Sequence, residues 1–398
     1  MYTSPVLDID EMRRRAVHLF TDGQYAEADR LLAELADLFE SERAQIALRR
    51  AQIGMLSDRM DHVAEQLEIA RGEYGAHAYF VERQVDMAVR KGDLSSAVKY
   101  LHMLGRHARA HQLEGFDGDW YQVEALSTGP VALDNEHALP LFEAKINGES
   151  GRFVLDTGTG DCLLDSNFAR RAGVECGHFD QVSYAGGRTD HLQLARVANL
   201  TIAESRFERL PAIIAPLGEP FRHEFADTSV DGVVGAGLLR AAGGIDIDYR
   251  QSHFRLGSPG LRDSEALWIA GSHYPLISCR VNGGAPSSWF VDSGMSGVDL
   301  ACSPTAARRH GAEPLNGDEF QTDGGGAALA INAVRLRRFQ HAELTDPALT
   351  AALLPDFKLG RELGIRIGGI IGHEWLARHR VRLDYRSMQA HISTLESD

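Results

Sequence analysis

The sequence has few cysteines, no long apolar run and no excess of positive charge. Its 398 residues include four cysteines, none in a C-x-x-C pair: Cys162, Cys176, Cys279 and Cys302. No stretch approaches the roughly 18 uninterrupted apolar residues of a membrane helix. The N-terminal residues also lack the apolar segment of a secretory signal. We therefore expect a cytoplasmic protein with free thiols, no disulfide framework and no contact with a membrane.

The net charge of −15 argues against a nucleic-acid partner, since binding to a phosphate backbone requires clustered Lys and Arg. No P-loop occurs, and the glycines of "DGVVGAG" do not follow the G-x-G-x-x-G order. His373 and His379 lie six positions apart, not the four that place two ligands on one helical face. We expect neither a cofactor nor a metal.

The first hundred residues have the periodicity of helices. Apolar positions recur every three or four residues, and Gly and Pro are scarce. Ala28, Ala64 and Ala97 occupy matching places in three similar stretches, close to the period of about 34 residues of a helix–turn–helix array. The region resembles tetratricopeptide repeats, although its middle copy lacks the turn Gly. We predict a helical repeat domain over 1–112 and a linker over 113–134.

The resemblance to tetratricopeptide repeats implies a groove that binds a peptide or another protein. A second interpretation stays open, in which the helices form a cap on the rest of the chain and have no partner of their own. From about residue 130 onward Gly is frequent and short Val-, Ile- and Leu-rich runs alternate with turn signals, which predicts mainly β structure.

The β region is an internal duplication. "FVLDTGTG" at 153–160 matches "FVDSGMSG" at 290–297, and Asp156 and Asp292 are 136 positions apart. Each motif follows an Asn-Gly hairpin signal, and "DGVVGAGLL" later matches "GGIIGHEWL" in the same order. "IDIDYR" finally matches "VRLDYR", with Asp248 and Asp384 again 136 apart. Four elements at nearly one offset indicate two copies of one β unit. We predict a first lobe over 135–270 and a second lobe over 271–398.

Each copy ends a strand in Asp, a hydroxyl residue and Gly. Gly158 and Gly294 let the backbone turn sharply and approach the other copy, because no Cβ stands in the way. Thr157 and Ser293 can hydrogen-bond across to the opposite turn and hold the two turns together.

Packing of the two copies about a pseudo-twofold axis would bring Asp156 and Asp292 together. Two carboxylates a few ångströms apart cannot both ionise without a large penalty, so they share one proton. One then acts as a base and the other as an acid, and a water between them is activated for attack on a carbonyl carbon.

These motifs resemble the aspartic protease superfamily, in both its retropepsin-like and pepsin-like forms. The resemblance covers about 135–395 and implies a two-lobed, pseudo-twofold β domain that follows the α-helical region. It implies hydrolysis of peptide bonds without a cofactor, with Asp156 and Asp292 as the catalytic pair. The expected supporting residues are Thr157, Gly158, Thr159, Ser293 and Gly294.

The family also implies a flap over the cleft. "SYAGGRTDH" at 183–191 is a hairpin candidate, with Gly186 and Gly187 at its tip and Tyr184 as the aromatic residue that would close over substrate. The chain departs from the family at Met295, where a small or hydroxyl residue is usual. Met295 cannot donate a hydrogen bond to Asp292 as Thr159 can to Asp156.

Three functions are compatible with these residues. The first is an aspartic endopeptidase whose helical repeats recruit a peptide or protein substrate. The second uses the same carboxyl pair for cyclisation, isomerisation or dehydration of a small molecule or modified peptide. The third is a non-catalytic adaptor that binds proteins through the repeat groove.

Overall fold

The computed structural model of the chain describes residues 9–135, 137–183, 189–217, 229–322, 328–354, 360 and 365–395. An N-terminal helical region is followed by two β lobes, which confirms the predicted fold class of helices and a two-lobed, pseudo-twofold β domain. No helix in the described ranges is long and apolar enough to cross a membrane. The four cysteines are free, as predicted.

Seven helices make up the described part of the N-terminal region, residues 9–114, and short helices occur within the lobes. The seven are α1 Ile9–Thr21, α2 Tyr25–Leu38, α3 Arg43–Leu56, α4 Met60–Tyr74, α5 Ala78–Lys91, α6 Leu94–Met103 and α7 His107–Glu114, with a 3-10 turn at Glu40–Glu42. Those of the lobes are α8 Ser166–Arg171, α9 Ala236–Ala242, α10 Pro304–Arg309 and α11 His373–Leu376.

The strands of the first lobe and its surroundings are β1 Gln122–Ala125, β2 Val131–Ala132, β3 Leu141–Ile146, β4 Glu149–Asp156, β5 Cys162–Asp165, β6 Glu175–Ser183, β7 Thr189–Ile202, β8 Ser205–Ala215, β9 Gly232–Gly235, β10 Gly244–Asp248 and β11 His253–Leu256. Those that follow are β12 Glu265–Ala266, β13 Trp268–Ala270, β14 Tyr274–Val281, β15 Ser287–Val291, β16 Leu300–Cys302, β17 Glu313–Thr322, β18 Ala328–His341, β19 Leu344–Leu353, β20 Ile367–Ile371, β21 His379–Asp384 and β22 Gln389–Thr394.

The helices pair as three hairpins, α1–α2, α3–α4 and α5–α6. The turns within them use left-handed backbone at Gly23 (φ 76°), Asp58 (φ 54°) and Gly92 (φ 73°). Asp is one of the few residues with a side chain that adopt this conformation readily, so Asp58 replaces the Gly that the middle copy lacks. The assignment of these hairpins to the tetratricopeptide family stays a prediction.

The two lobes have the same strand order. The first sheet runs β1-β8-β5-β9-β4-β3-β7-β6, and the second contains β19-β16-β20-β15-β14, the counterparts of β8-β5-β9-β4-β3. β4 pairs in parallel with β9, and β15 pairs in parallel with β20. The internal duplication predicted from the motifs is therefore present in the topology.

A six-stranded sheet joins the lobes, in the order β12-β22-β21-β10-β11-β2. At its centre the equivalent strands β10 and β21 pair with each other in an antiparallel ladder, with Gly244 opposite Asp384 and Asp248 opposite Arg380. Antiparallel pairing of two equivalent strands places a pseudo-twofold axis between them. This axis brings the two Asp-bearing turns to one place.

The first helical hairpin packs on the second lobe. The Tyr25 hydroxyl and the Ser288 Oγ hydrogen-bond at 2.8 Å, and the Tyr25 ring meets Trp268 edge to face at 5.0 Å. We call the apolar group formed here the helix–lobe cluster; it includes Met12, Ala16, Phe20, Tyr25, Phe290, Val298, Ile367 and Ile370. The helical region is thus part of one packed body with the second lobe.

The last helix of the region docks on the first lobe. The side-chain amide of Gln112 on α7 donates hydrogen bonds to the carbonyl oxygens of Ala195 (2.6 Å) and Ala212 (2.9 Å), on β7 and β8. Arg109 on the same helix forms an ion pair with Asp161 at 2.6 Å. Both lobes therefore contact the helical region, the second lobe at the α1–α2 hairpin and the first lobe at α7.

Candidate active site

Both Asp side chains lie at the ends of paired strands. Asp156 ends β4, and its Oδ1 accepts a hydrogen bond from the Gly158 N–H at 2.7 Å. Asp292 follows β15, and its Oδ1 accepts the corresponding bond from the Gly294 N–H at 3.0 Å. A side chain that folds back onto its own turn in this way is a common stabiliser of tight turns. The two turns thus have the same local geometry.

Four reciprocal hydrogen bonds lock the two turns together. The Thr157 N–H donates to the Ser293 Oγ (3.0 Å), which donates to the Leu155 carbonyl (2.9 Å). In return the Ser293 N–H donates to the Thr157 Oγ1 (3.0 Å), which donates to the Val291 carbonyl (2.6 Å). Both hydroxyl residues are buried, with exposures of 1% for Thr157 and 2% for Ser293. Every group in this interlock has a partner, so the pair is rigid.

The two glycines allow each carboxyl to reach across to the other turn. A Cβ at Gly158 would lie 2.5 Å from both carboxyl oxygens of Asp292. A Cβ at Gly294 would lie 2.5 and 2.6 Å from the carboxyl oxygens of Asp156. Real Cβ contacts are never this short, so each Gly is required by the carboxyl of the other lobe. The structure therefore brings together the two Asp side chains predicted from the sequence.

The strands beside the turns also carry required glycines. A Cβ at Gly235 would lie 2.5 Å from the Gly160 carbonyl and 2.7 Å from that of Thr159. A Cβ at Gly372 would lie 2.5 Å from the Val298 carbonyl. The apolar-apolar-Gly motifs therefore mark strands that pass directly beside the Asp turns.

The Asp side chains are half-buried and are hydrogen-bonded to each other, so one of them carries a proton. Burial raises the pKa of Asp156, while hydrogen bonds from Gly158 and Thr159 act in the opposite direction. Burial, together with the negative charge of Asp156, raises the pKa of Asp292 well above its usual range. Asp156 and Asp292 are therefore unequal in their surroundings, and they titrate as one unit that shares a single proton.

Thr159 and Met295 account for part of this inequality. The Thr159 hydroxyl hydrogen-bonds to Asp156, whereas Asp292 receives backbone hydrogen bonds from Gly294 and Met295 and no side-chain donor at the matching position. The side chain of Met295 is half-buried and packs against the helix–lobe cluster. Its apolar chain is thus accounted for by packing against this cluster.

Residues that share a strand face with the Asp side chains are covered. Successive side chains of a strand alternate between faces, so Ser288, Phe290 and Asp292 project to one side of β15. Phe290 is 5% exposed and lies in the helix–lobe cluster, while Ser288 contacts Tyr25. Val154, two positions before Asp156, is 1% exposed. The first helical hairpin therefore lies on the Asp-bearing side of the second lobe, which the sequence did not reveal.

A second missed feature is the partner set of Asp161, five residues after Asp156. Its carboxylate accepts hydrogen bonds from Arg109 (2.6 Å) and the Tyr121 hydroxyl (3.1 Å). The sequence carried one signal for these partners, which is the acidic residue Asp161 inside a Gly-rich turn. A carboxylate that is partly buried in such a turn needs a cation beside it. Nearby, burial raises the pKa of the Cys162 thiol to about 12, so this cysteine is a core residue and not a nucleophile.

The predicted flap residues Tyr184, Gly186 and Gly187 lie outside the described residues. Within the described ranges, no three His, Cys, Asp or Glu side chains are grouped as a metal site requires.

The candidate site is thus a pair of carboxyls, Asp156 and Asp292, that share a proton and are partly accessible to solvent. Chemically, such a pair can donate a proton and accept one in the same step.

Comparison with known proteins gives a match to a family model and similarities to solved structures. Residues 142–239, which contain the Asp156 turn and the Gly235 strand, match the family model described as aspartyl protease. The second lobe lies outside the matched residues. A retropepsin-like aspartic protease from Rickettsia conorii is similar to 34% of this chain over 94% of its own, at 17% identity and a TM-score of 0.23. A search of curated proteins found no significant match.

Proposed function

We propose that the chain is an aspartic peptidase whose two lobes supply one carboxyl each. The observation that carries this proposal is the crossed pair of Asp156 and Asp292, each packed over the Gly of the opposite turn. The interlock of Thr157 and Ser293 supports it, since an acid–base pair must be held in fixed geometry to act on one substrate atom. The aspartyl protease match of residues 142–239 supports it independently for the first lobe.

In this proposal Asp156 is the base, because the Thr159 hydroxyl stabilises its charge and Met295 offers Asp292 no such donor. Asp156, as the carboxylate, takes a proton from a water molecule, and the oxygen of that water attacks the peptide carbonyl carbon. Asp292, as the acid, gives its proton to the carbonyl oxygen, which yields a neutral tetrahedral diol. The diol returns a proton through Asp292 as Asp156 protonates the amide nitrogen, and the C–N bond breaks to release an acid and an amine.

The helical region has a role in this proposal that follows from its position. The α1–α2 hairpin covers Ser288 and Phe290 on the face that carries Asp292, so it forms part of the wall of the substrate cleft. A peptide or protein that binds the helices is thereby held beside the carboxyl pair. This orientation is more specific than general recruitment, because Phe290 and Met295, on either side of Asp292 in the sequence, pack in or against the same cluster as the helices.

The test is hydrolysis of a mixed peptide library by the purified full chain across pH 3–8, with Asp156→Asn and Asp292→Asn as separate variants. Each variant should lose cleavage almost completely, since neither the base nor the acid can be replaced by an amide. Circular dichroism and thermal melting check that each variant is folded. Retained cleavage by either folded variant would refute the proposal.

A second candidate is supported by the covered cleft walls. Val154 and Phe290 are both buried, which leaves little open surface for side chains of a long peptide next to the carboxyls. The same pair could then act on a small molecule or a modified peptide by isomerisation, cyclisation or dehydration. This candidate would be favoured if no library peptide is cleaved and if the Asp variants lose binding of compact substrates.

A non-catalytic adaptor would be favoured if the chain binds a partner protein and this binding does not depend on either Asp.

A further inference from the structure

The turn that follows Asp292 is held by side chains of its own lobe. Arg378, just after α11, forms an ion pair at 2.7 Å with Asp299, the residue before β16. Glu374 on α11 accepts a hydrogen bond from the Gly297 N–H at 3.1 Å. A cation and a carboxylate from the segment after the apolar-apolar-Gly strand thus fix the end of this turn.

The first lobe lacks both of these side chains at the matching positions. Counted from the Gly of the apolar-apolar-Gly motif, Arg378 and Glu374 are the sixth and second residues that follow. In the first lobe these two positions are Ala241 and Gly237, which offer neither a charge nor a side-chain acceptor. Asp161, at the end of the first turn, therefore has no cation at the matching position of its lobe.

Two residues from outside the lobe occupy these places. Arg109 on α7 forms an ion pair with Asp161 at 2.6 Å. The hydroxyl of Tyr121, between α7 and β1, donates to the other carboxyl oxygen of Asp161 at 3.1 Å. A Cβ at Gly237 would lie 2.6 Å from this hydroxyl, so the absence of a side chain there makes room for Tyr121. The helical region and the segment after it thus supply what the second lobe provides for itself.

The contacts of Asp161 are part of the docked surface of α7. The side chains of Arg109 and Asp161 are 23% and 17% exposed, so solvent screens their attraction only in part. Arg109 also donates a hydrogen bond to Gln112, which anchors α7 to the lobe. Burial and the charge of Asp161 raise the pKa of Tyr121 well above its usual range, so its hydroxyl keeps the proton that it donates. Arg240 on α9 forms its ion pair with the α3–α4 turn instead, at 2.9 Å.

The position of Asp161 bears on the carboxyl of Asp156 through the residues between them. The Thr159 hydroxyl hydrogen-bonds to Asp156 and lies two residues before Asp161. On the side of the lobe, the carbonyls of Thr159 and Gly160 accept the first two N–H groups of α9 at 2.7 and 3.0 Å. Residues 159–161 are thus held between α9 and the helical region. Without the contacts to Asp161 they are held from one side only.

We propose that Arg109 and Tyr121 are positioning residues of the Asp156 turn, and that the first lobe is complete only when α7 is docked on it. Both residues act through Asp161, in the places that Arg378 and Glu374 occupy in the second lobe. The effect on catalysis rests on the proposed peptidase function, whereas the effect on the turn does not. The helical region thereby has a second role, in which it holds the base of the carboxyl pair in position.

The first test is hydrogen–deuterium exchange of the full chain with matched variants. Arg109→Met should lower the protection of the N–H groups of 236–237, which donate to the turn, by about tenfold or more. Arg106→Met removes the same charge just before α7, where the side chain is 55% exposed and pairs with α5. It should change this protection by less than about twofold. Arg378→Met should instead lower protection at 372–373, whose N–H groups donate to the second turn. Protection at 236–237 in Arg109→Met within twofold of the unaltered chain would overturn the proposal.

The second test returns the cation from within the lobe. Ala241, Arg109 and Asp161 line one cavity of about 300 Å³, so a longer side chain on α9 has room to reach Asp161. Ala241→Arg, added to Arg109→Met, should restore protection at 236–237 to within about threefold of the unaltered chain. Circular dichroism checks that the double variant is folded. A folded double variant without any recovery would show that Arg109 does not hold the place of Arg378, and the proposal would fail.

Kinetics separate positioning from binding and from the peptidase proposal itself. With a library peptide that the unaltered chain cleaves, Arg109→Met should lower kcat by about tenfold or more and change KM less than about threefold, because the base is displaced while the substrate still binds. Ala241→Arg should recover kcat in that background. A raised KM with an unchanged kcat would contradict a positioning role. If the unaltered chain cleaves no peptide, the peptidase proposal fails alone, since the exchange results decide the role of Arg109 without any activity.

Discussion

Ser293→Ala tests the interlock that holds the two carboxyls together. The change removes one oxygen, yet it leaves two buried groups without partners, the Thr157 N–H and the Leu155 carbonyl. Each such group costs about 1–3 kcal/mol, so the closed arrangement of the turns should lose about 2–6 kcal/mol. Thr157 and Leu155 are 1% and 3% exposed, so water cannot readily replace the lost oxygen.

Hydrogen–deuterium exchange of the full chain measures this loss at the turn itself. Every 1.4 kcal/mol is a factor of ten in an equilibrium constant, so amide protection in 153–160 should fall by about thirtyfold or more. Exchange in α1–α7 should not change. Ser264→Ala, on a surface turn, is the control and should alter protection nowhere by more than about twofold. A loss of less than threefold at 153–160 in Ser293→Ala would refute the reasoning.

The interlock predicts a symmetrical result for its other half. Thr157→Val keeps the shape of the side chain but leaves the Ser293 N–H and the Val291 carbonyl unpaired. Protection should then fall in 290–297 to a similar extent. Because both hydroxyls close the same contact, the double variant should lose less than the sum of the two single losses. Strict additivity would mean that the two turns are held independently of each other.

Three further changes test the surroundings of the pair. The pKa of Asp292 is raised above the unfolded value of about 3.9, so the stability that its protonated form provides is complete below about pH 4 and is lost as the pH rises through the folded-state pKa. Asp292→Asn should therefore melt at a higher temperature than the unaltered chain at pH 7. An equal or lower Tm at pH 7 would contradict this. Met295→Thr offers Asp292 a hydroxyl like that of Thr159 and should lower its pKa, seen as an acid shift of the upper limb of the pH–rate profile; an unmoved limb is the contrary result. Tyr25→Phe removes the bond to Ser288, worth about 1 kcal/mol, and should speed tryptic cleavage within 9–38; unchanged cleavage would show that the hairpin is held by apolar packing alone.

The sequence was sufficient for the turns because their requirements are local. An Asp that folds back on its own turn and a Gly that admits a neighbour are both encoded within four residues, and duplication of the motif implied the pairing of Asp156 with Asp292. Strand type followed from alternation and hairpin signals in the same way. The middle helical turn shows the limit of such patterns, since Asp58 adopts the left-handed conformation that a search for Gly overlooks.

The contacts of the helical region could not be predicted because they join residues far apart in the sequence. Tyr25 is 263 positions from Ser288, and Arg90 is 179 positions from the Ile269 carbonyl that it binds. Nothing in the local pattern of either partner specifies the other. The same reason applies to Met295, which departs from the family pattern. Its side chain packs against the helix–lobe cluster, which combines residues of α1–α3 with residues of the second lobe.

The two lobes have similar backbones, but their Asp side chains have different surroundings. This difference makes the two carboxyls unequal as acid and base. In a fully symmetrical pair each carboxyl would be equally ready to hold the shared proton. Here the Thr159 hydroxyl stabilises the charge of Asp156, while Asp292 has Met295 and the apolar helix–lobe cluster on its side. A less polar environment favours the neutral acid, so this difference favours Asp292 as the site of the shared proton. By packing on the second lobe beside Asp292, the helical region therefore makes the surroundings of the two carboxyls unequal.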